Sequence, residues 1–206
     1  MEYPILFQNL IDSFKKLPGV GAKSAERMAY DILSMKQEDI EKFANNILAI
    51  NNISRCPICN NLSENGDPCE ICLDNGRDTD VICVVHGPKD VFAFERMKEY
   101  HGMYHVLNGY ISPSKGIGYD DINLDSLIKR IEKGNIKEII LATDLTMEGE
   151  ITSMYIAKLL TKYKDLKVSR LAHGLPMGAQ LDYADELTLF KAFSNRKPID
   201  NWQNKQ

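Results

Sequence analysis

Apolar residues recur at helical spacing through residues 1–53, and one short segment interrupts the pattern. A first helix is predicted by apolar residues that recur at steps of one, three or four, namely Ile5, Leu6, Leu10, Phe14 and Leu17. The segment LPGVG at 17–21 breaks this spacing. The helical spacing returns after it and predicts a second helix over 24–33 and a third over 38–50. The sequence therefore predicts three helices, of which the first two are joined by a tight turn.

From Val81 onward, short apolar runs alternate with longer amphipathic stretches. The runs predict strands at 81–85, 104–107, 138–142 and 168–172. The stretches between them predict helices at about 90–99, 124–133 and 148–163. Asn123 is expected to cap the helix at 124–133 and Gly134 to end it. This alternation indicates a mostly parallel sheet covered by helices. After residue 185 the chain is read as polar and turn-rich, and its last residues are expected to be disordered or docked on another surface.

A polar segment at 54–78 separates these two regions and contains two Cys-x-x-Cys pairs. The pairs are CPIC and CEIC, which place Cys56, Cys59, Cys69 and Cys72. Each pair can wrap a tight turn, and four thiolates close a tetrahedral shell around zinc. Such a shell has no open position, so one structural Zn²⁺ per chain is predicted. Thioredoxin-like redox chemistry is the alternative, but it requires a single pair that opens a helix after a strand. Cys83, inside an apolar strand, is read as a buried thiol.

The turn between the first two helices has the features of a phosphate site. Gly19 and Gly21 permit backbone dihedrals that other residues avoid, which leaves N–H groups exposed at the start of the second helix. Lys23 and Arg27 are four residues apart, so they share one face of that helix. These four residues are predicted to bind DNA through its backbone rather than its base sequence. A plain helical hairpin with solvated charges is the alternative.

Overall charge limits how DNA could be bound. The formal net charge is −4, and residues 1–53 contain six Lys or Arg against seven Asp or Glu. An acidic protein does not attract nucleic acid through its overall field. Any DNA binding must therefore come from a local basic patch or from backbone N–H groups.

Acidic residues follow the strand predicted at 138–142, in the segment ATDLTMEGE. Asp144, Glu148 and Glu150 stand where an α/β protein could hold a metal. A phosphoryl-transfer site needs further carboxylates, but His86 follows the strand at 81–85 and position 146 is threonine. Asp90 is expected to cap the helix after His86. Catalytic use of a metal is therefore not expected, while weak Mg²⁺ binding and contact with a partner both stay open.

The remaining histidines are not expected to act in chemistry. His101 and His105 are separated by a change from helix to strand, so both are read as surface or edge residues. His173, in AHGLPMG, is read as a packed or capping residue.

The order of these parts resembles the RecR family of bacterial recombination mediator proteins. The resemblance extends from about Leu6 to about Leu189 and is carried by LPGVGAKSAERMA, the cysteine spacing, ISPSKGIG, ATDLTMEGE and SRLAHGLPMG. It implies an α+β multidomain protein with a helix-hairpin-helix region at 1–53, a C4 zinc finger at 54–78 and an α/β Toprim domain at 79–176. A C-terminal segment at 177–206 is expected to make oligomer contacts.

The resemblance also implies a function that spacing alone does not. Members of the family are non-enzymatic, act with RecO and RecF in recombinational DNA repair, and help to load the recombinase onto single-stranded DNA. They are similar in forming ring-like oligomers, so a ring, as a tetramer, is expected here. Asp144, Glu148 and Glu150 fall in the acidic stretch that the family uses for partner contact. Many members carry glutamate at the position of His86, which is a departure.

Two other functions are compatible with the sequence. One is a Mg²⁺-dependent Toprim enzyme, a nuclease or primase-like protein, against which the missing acids argue. The other is a zinc-stapled scaffold without a role on DNA. No signal peptide or apolar run long enough to span a membrane is read from the sequence, so a cytoplasmic protein is expected.

Overall fold

The computed structural model describes residues 3–172, 174–196 and 198, and the chain divides into two compact units, 1–53 and 54–206. In the first unit, α1 spans Ile5–Lys15, α2 spans Ala22–Leu33 and α3 spans Gln37–Ala49. The three predicted helices are confirmed, each with a boundary shifted by a few residues.

Two alanines of α2 let it pack closely against α1. Ala25 and Ala29 are completely buried, and they contact Ile11 and its neighbours Phe7 and Phe14. The side chains of α3, by contrast, are not buried within the described residues. The first unit therefore has a small core between α1 and α2 and a large exposed apolar surface.

The second unit begins with the cysteine-containing module. A two-stranded sheet pairs β1, Ile53–Arg55, with β2, Leu62–Glu64, and the short helix α4, Glu70–Leu73, follows. The elements are too short to form an apolar core, so the buried cysteines Cys56, Cys59 and Cys69 take that place.

A four-stranded parallel sheet forms the main part of the second unit. The strands are β3, Asp78–Val85; β4, Gly102–Val106; β5, Glu138–Ala142; and β6, Lys167–Arg170, in the order β4-β3-β5-β6. The helices are α5, Pro88–Met97; α6, Asp125–Lys133; α7, Met147–Leu160; and α8, Glu186–Ser194. The predicted strands and the mostly parallel sheet are confirmed. Helix α8 contradicts the turn-rich interpretation of the residues after 185.

The sheet is covered on both faces, as its alternating side chains require. On β3, Ile82 and Val84 belong to the core cluster that includes α6 and α7, while Cys83 and Val85 belong to the cluster that includes Val91 of α5. Cys83 is completely buried, which confirms its interpretation as a core thiol. None of the helices within the described residues is both long and apolar enough to cross a membrane.

The ends of α6 correct one expectation and confirm another. Gly134 is the C-cap residue, as expected. Asn123 is not the N-cap, which is Leu124; the Asn123 amide nitrogen donates to the Val106 carbonyl of β4 at 3.2 Å, and its oxygen accepts from the Ser126 hydroxyl. The side chain of Asn123 therefore ties the start of α6 to the edge strand.

Candidate nucleic-acid interface, zinc site and acidic corner

The hairpin turn has the backbone geometry that its glycines predict. Gly19 has a φ of +80°, a left-handed conformation that favours glycine, and the Val20 N–H donates to the Leu17 carbonyl at 3.1 Å. Gly21 is the N-cap residue of α2, and no side chain of residues 3–172, 174–196 or 198 caps that end. The first N–H groups of a helix have no acceptor within it, so the start of α2 presents free donors and a partial positive charge.

Lys23 and Arg27 project from the exposed face of α2. Both are exposed, and neither forms an ion pair with a described residue. The neighbouring acid, Glu26, accepts a hydrogen bond from the Tyr3 hydroxyl instead. The structure thus brings two exposed cations, both without an ion pair among the residues described, onto the helix whose N-terminus follows Gly19 and Gly21.

The four cysteines of the two Cys-x-x-Cys pairs converge on one point. All four Sγ atoms, those of Cys56, Cys59, Cys69 and Cys72, lie within 4.8 Å of one another. Among the described residues, these cysteines form a group that could hold a metal ion. Sγ of Cys59 is 3.5 Å from that of Cys69, and Sγ of Cys56 is 3.8 Å from that of Cys72. Tetrahedral zinc with Zn–S bonds of about 2.3 Å requires sulfurs about 3.8 Å apart, so the donor set fits Zn²⁺.

Backbone hydrogen bonds fix the positions of these sulfur atoms. The Asn60 N–H donates to the Cys56 carbonyl at 2.9 Å, and Asn60 itself has a φ of 64°, which turns the chain tightly. The Cys72 N–H donates to the Cys69 carbonyl at 2.9 Å, and the Cys69 N–H donates to Sγ of Cys56 at 3.3 Å. Each pair forms a turn, and the second turn supports a sulfur of the first.

The pKa values of the clustered thiols indicate that a bound cation would stabilise their ionised form. A hydrogen bond from the Cys72 thiol lowers the pKa of Cys59 to about 5, whereas the same bond raises the pKa of Cys72. Burial raises the pKa of Cys69 to about 11. Thiols packed this closely resist ionising together, and a bound divalent cation would hold all of them as thiolates.

The cysteine-containing module is attached to the edge strand of the main sheet. The Val106 N–H donates to the Cys59 carbonyl at 2.8 Å, and the Asn60 amide nitrogen donates to the Val106 carbonyl at 3.0 Å. These bonds satisfy backbone groups that an edge strand would otherwise leave unpaired. The module therefore both carries the metal site and covers the edge of β4.

Asp144, Glu148 and Glu150 lie where β5 leads into α7, a region called the acidic corner below. The first turn of α7 determines its shape. Thr146 is the N-cap residue, and its hydroxyl accepts from the Gly149 N–H at 3.2 Å. A Cβ on Gly149 would lie 2.0 Å from the Asp144 carbonyl oxygen, so only glycine fits there. Threonine at position 146 thus has a capping role at the place where a second carboxylate would otherwise stand.

The carboxylates of the corner do not converge. Asp144 is exposed, Glu148 lies 3.9 Å from the Lys115 ammonium, and Glu150 pairs with Arg170 at 3.1 Å and Lys191 at 3.2 Å. Among the described residues, Asp144, Glu148 and Glu150 do not form a group that could hold a metal. The corner consequently presents an acidic surface instead of a preformed cation site.

His86 occupies the strand end opposite Asp144. Its ring stacks on Tyr110 with centroids 4.0 Å apart, and the Tyr110 hydroxyl accepts from the Asp144 N–H at 3.1 Å. Nδ1 of His86 is buried and has no hydrogen-bond partner among the described residues. Asp90 takes part in capping α5 from its third position, since its carboxylate accepts from the N–H of the N-cap residue Gly87 at 2.8 Å. Tyr110 does not stand out in the sequence, because a single aromatic residue in a loop carries no periodic signal.

His105 was expected at the surface or at an edge, and the structure confirms the edge position but not the exposure. It lies on the edge strand β4, but its side chain is completely buried, with Nε2 2.7 Å from the Asn123 carbonyl oxygen. Burial lowers the pKa of His105 to about 4. His101 is exposed, as expected. His173 lies outside the described residues.

Comparisons with known families cover almost all of the chain. Residues 7–50 match the model of the RecR helix-hairpin-helix, residues 53–74 the RecR four-cysteine zinc finger domain, residues 80–172 the Toprim domain and residues 174–197 the RecR C-terminal region. The cysteine cluster is therefore a four-cysteine zinc finger.

One curated relative is similar along its whole length. "Recombination protein RecR" of Ligilactobacillus salivarius (strain UCC118) is 50% identical over 201 residues, which is 97% of this chain and 100% of that protein. The resemblance that rested on the hairpin turn, the cysteine spacing and the acidic stretch is confirmed. The chain belongs to the RecR family of recombination proteins.

Proposed function

We propose that the protein is a DNA-binding clamp and adaptor for recombinational DNA repair. In this role it acts in the cytoplasm with RecO and RecF and helps to load the recombinase onto single-stranded DNA. The single observation that supports it most is the pair of exposed cations on α2, Lys23 and Arg27, which have no ion-pair partner in the described part of the chain and lie beside the start of that helix.

DNA phosphates are the ligand that this arrangement suits. The free N–H groups after Gly21 and the partial positive charge of the helix start attract an anion. Lys23 and Arg27 add two full charges on the same face. Contacts of this type neutralise phosphates without reading bases, so binding is salt-sensitive and independent of sequence.

Partner binding is proposed for the acidic corner. Asp144 is exposed, and the adjoining apolar side chains of Leu145 and Met147 are 60% and 77% exposed. Acidic groups beside exposed apolar ones suit a basic, partly apolar protein surface. Glu148 and Glu150 are proposed as further contacts, with Glu150 held in place by Arg170 and Lys191.

A non-catalytic role follows from the same corner. Phosphoryl transfer through Mg²⁺ needs several carboxylates around one ion. Here Glu150 is ion-paired, His86 stands at the neighbouring strand end, and Thr146 is engaged as a cap. We propose that the Toprim domain serves as a binding surface.

Self-association into a ring, as a tetramer, is proposed from the exposed apolar surfaces. On α3 and the residue after it, Ile47, Leu48 and Ile50 are more than half exposed, and Phe190 and Phe193 of α8 are 66% and 65% exposed. Apolar surface of this extent favours burial against another chain. In this proposal the functional parts are 1–53 for DNA, 54–78 for zinc, 79–176 for partners and 177–206 for oligomer contacts.

The test is a Mg²⁺ titration of the protein on end-labelled gapped DNA, with each sample divided between a native and a denaturing gel. We expect a shifted native band and an unchanged strand at every Mg²⁺ concentration. Cut or extended strand that increases with Mg²⁺, and that disappears on Asp144→Asn, would show a Toprim enzyme instead. Absence of any shift would leave a zinc-stapled scaffold without a role on DNA.

A further inference from the structure

Glu26 is an acid placed among the cations that are proposed to bind DNA. It stands three residues after Lys23 and directly before Arg27 on α2, and its side chain is half-buried. Side chains three residues apart on a helix are neighbours, so a free carboxylate at this position would pair with Lys23. It would also repel a phosphate that approaches either cation. Binding of phosphate on this face therefore requires that the Glu26 carboxylate be held elsewhere.

Tyr3 holds that carboxylate. The Tyr3 hydroxyl donates a hydrogen bond to Oε1 of Glu26. Within the described residues, Glu26 forms an ion pair with neither Lys23 nor Arg27, although both are close to it on the helix. The hydrogen bond to Glu26 raises the pKa of Tyr3, so the hydroxyl stays protonated and can donate at every ordinary pH. The carboxylate is thus directed towards the residues that precede α1 and not towards Lys23.

Two other aromatic rings fix the ring of Tyr3. It meets Phe7 of α1 edge-on, with centroids 5.2 Å apart, and Tyr30 of α2 in the same way at 6.2 Å. Phe7 and Tyr30 also contact each other, with centroids 4.8 Å apart. Edge-to-face contacts of this length are favourable. The three rings therefore keep the Tyr3 hydroxyl beside Glu26, which a freely rotating side chain would not do.

We propose, on the basis of the DNA-binding role proposed above for the hairpin, that Tyr3 is a positioning residue of the DNA site. It withdraws the negative charge of Glu26, so that Lys23 and Arg27 are free to bind phosphate. Loss of the hydroxyl would release the carboxylate, which would then pair with Lys23 and compete with DNA for it. The affinity for DNA thus depends on a contact between the residues before α1 and α2, as well as on the two cations.

The experiment measures the affinity of the full-length protein for single-stranded DNA at low salt. Tyr3→Phe keeps the ring contacts and removes the donor, and we expect it to weaken binding about threefold. Glu26→Gln keeps an acceptor for Tyr3 but has no charge, so Tyr3→Phe/Glu26→Gln should bind as tightly as Glu26→Gln alone. Glu41→Gln is the matched control, because Glu41 is an exposed acid on α3 of the same unit. In Glu41→Gln, Tyr3→Phe should weaken binding as much as it does in the parent.

Three results would overturn the proposal. They are an unchanged affinity in Tyr3→Phe, an equal weakening whether residue 26 is glutamate or glutamine, and relief of the weakening by Glu41→Gln as well as by Glu26→Gln. An equal weakening would mean that Tyr3 acts on the stability of the unit and not on the charge of Glu26, and urea unfolding of Tyr3→Phe would then show a matching loss.

Lys23→Ala/Arg27→Ala, measured in the same series, separates the role of Tyr3 from the DNA site itself. If that variant binds DNA more weakly while Tyr3→Phe binds as the parent does, the hairpin remains the DNA site and the role of Tyr3 is wrong. If Lys23→Ala/Arg27→Ala binds as the parent does, the hairpin is not the DNA site, and the role of Tyr3 is wrong with it.

Discussion

The rings of His86 and Tyr110 stack 4.0 Å apart and nearly parallel, at 11°. The Tyr110 hydroxyl also accepts from the Asp144 N–H, so this one loop residue joins the ends of β3 and β5. In a magnesium site, carboxylates at these two strand ends would face a shared ion. Here the strand ends are held together by an aromatic stack and a hydrogen bond.

This stack makes Tyr110 a stabilising residue of the corner. Tyr110→Ala removes the stack and the acceptor for Asp144, and we expect the free energy of unfolding to fall by about 2 kcal/mol. Tyr110→Phe keeps the stack and should cost about 1 kcal/mol. Urea unfolding of both variants measures the difference. Equal losses in the two variants would mean that the ring contact contributes nothing.

The zinc finger should lose its metal when one ligand is changed. Cys59→Ser is expected to lower the zinc content from about one per chain to a small fraction, because three thiolates bind zinc far less tightly than four. Cys83→Ala is the matched control, since Cys83 is buried in β3 away from the cluster. Metal analysis of freshly purified protein decides. Full zinc content in Cys59→Ser would remove Cys59 from the ligand set.

Gly149 should tolerate no side chain. The Cβ of Gly149→Ala would meet the Asp144 carbonyl oxygen at 2.0 Å, so α7 or the preceding turn must shift. We expect a loss of about 3 kcal/mol in the free energy of unfolding. Gly118→Ala is the control, because its Cβ would have an ordinary contact of 3.7 Å to Asp121. Comparable stability of the two variants would contradict the close approach.

His105 should make stability depend on pH. Its pKa is about 4 in the folded protein and about 6.5 when unfolded, so the unfolded chain binds the extra proton first. The contribution of neutral His105 to the free energy of unfolding is complete above about pH 6.5. It is lost as the pH falls towards about 4, by about 3 kcal/mol in total. His105→Gln should flatten this slope in urea unfolding between about pH 6.5 and pH 5, with zinc content followed in the same samples. Parallel slopes for the parent and the variant would rule out this titration.

Local pattern predicts most of the secondary structure. The predicted strand at 138–142 is found with the same bounds, and the helix predicted over 124–133 begins one residue later. Helix α8 carries a helical signal that the turn-rich interpretation overlooks, since Asp185 caps it and the apolar Leu187, Phe190 and Phe193 recur every three residues. The zinc ligands are predictable because two Cys-x-x-Cys pairs have few other uses.

Contacts between distant parts of the chain cannot be read from the sequence. The sequence suggests a surface or edge position for His105, but the structure buries it because Asn123 and Arg130 come from beyond β4 to cover it. The same holds for Glu150, whose partners Arg170 and Lys191 are 20 and 41 positions away. Sequence spacing indicates which residues share a helix face, but not which element packs against it.

The most direct test of the account is DNA binding by the hairpin, measured as affinity for single-stranded DNA over a series of salt concentrations. Lys23→Ala/Arg27→Ala is expected to weaken binding at least about tenfold and to reduce the salt dependence by about two phosphate contacts. Lys36→Ala/Lys42→Ala removes the same charge from exposed positions of the same unit and should change binding little. If the Lys23/Arg27 variant bound as tightly as the parent with the same salt dependence, or if both double variants weakened binding equally, the hairpin would not be the DNA site.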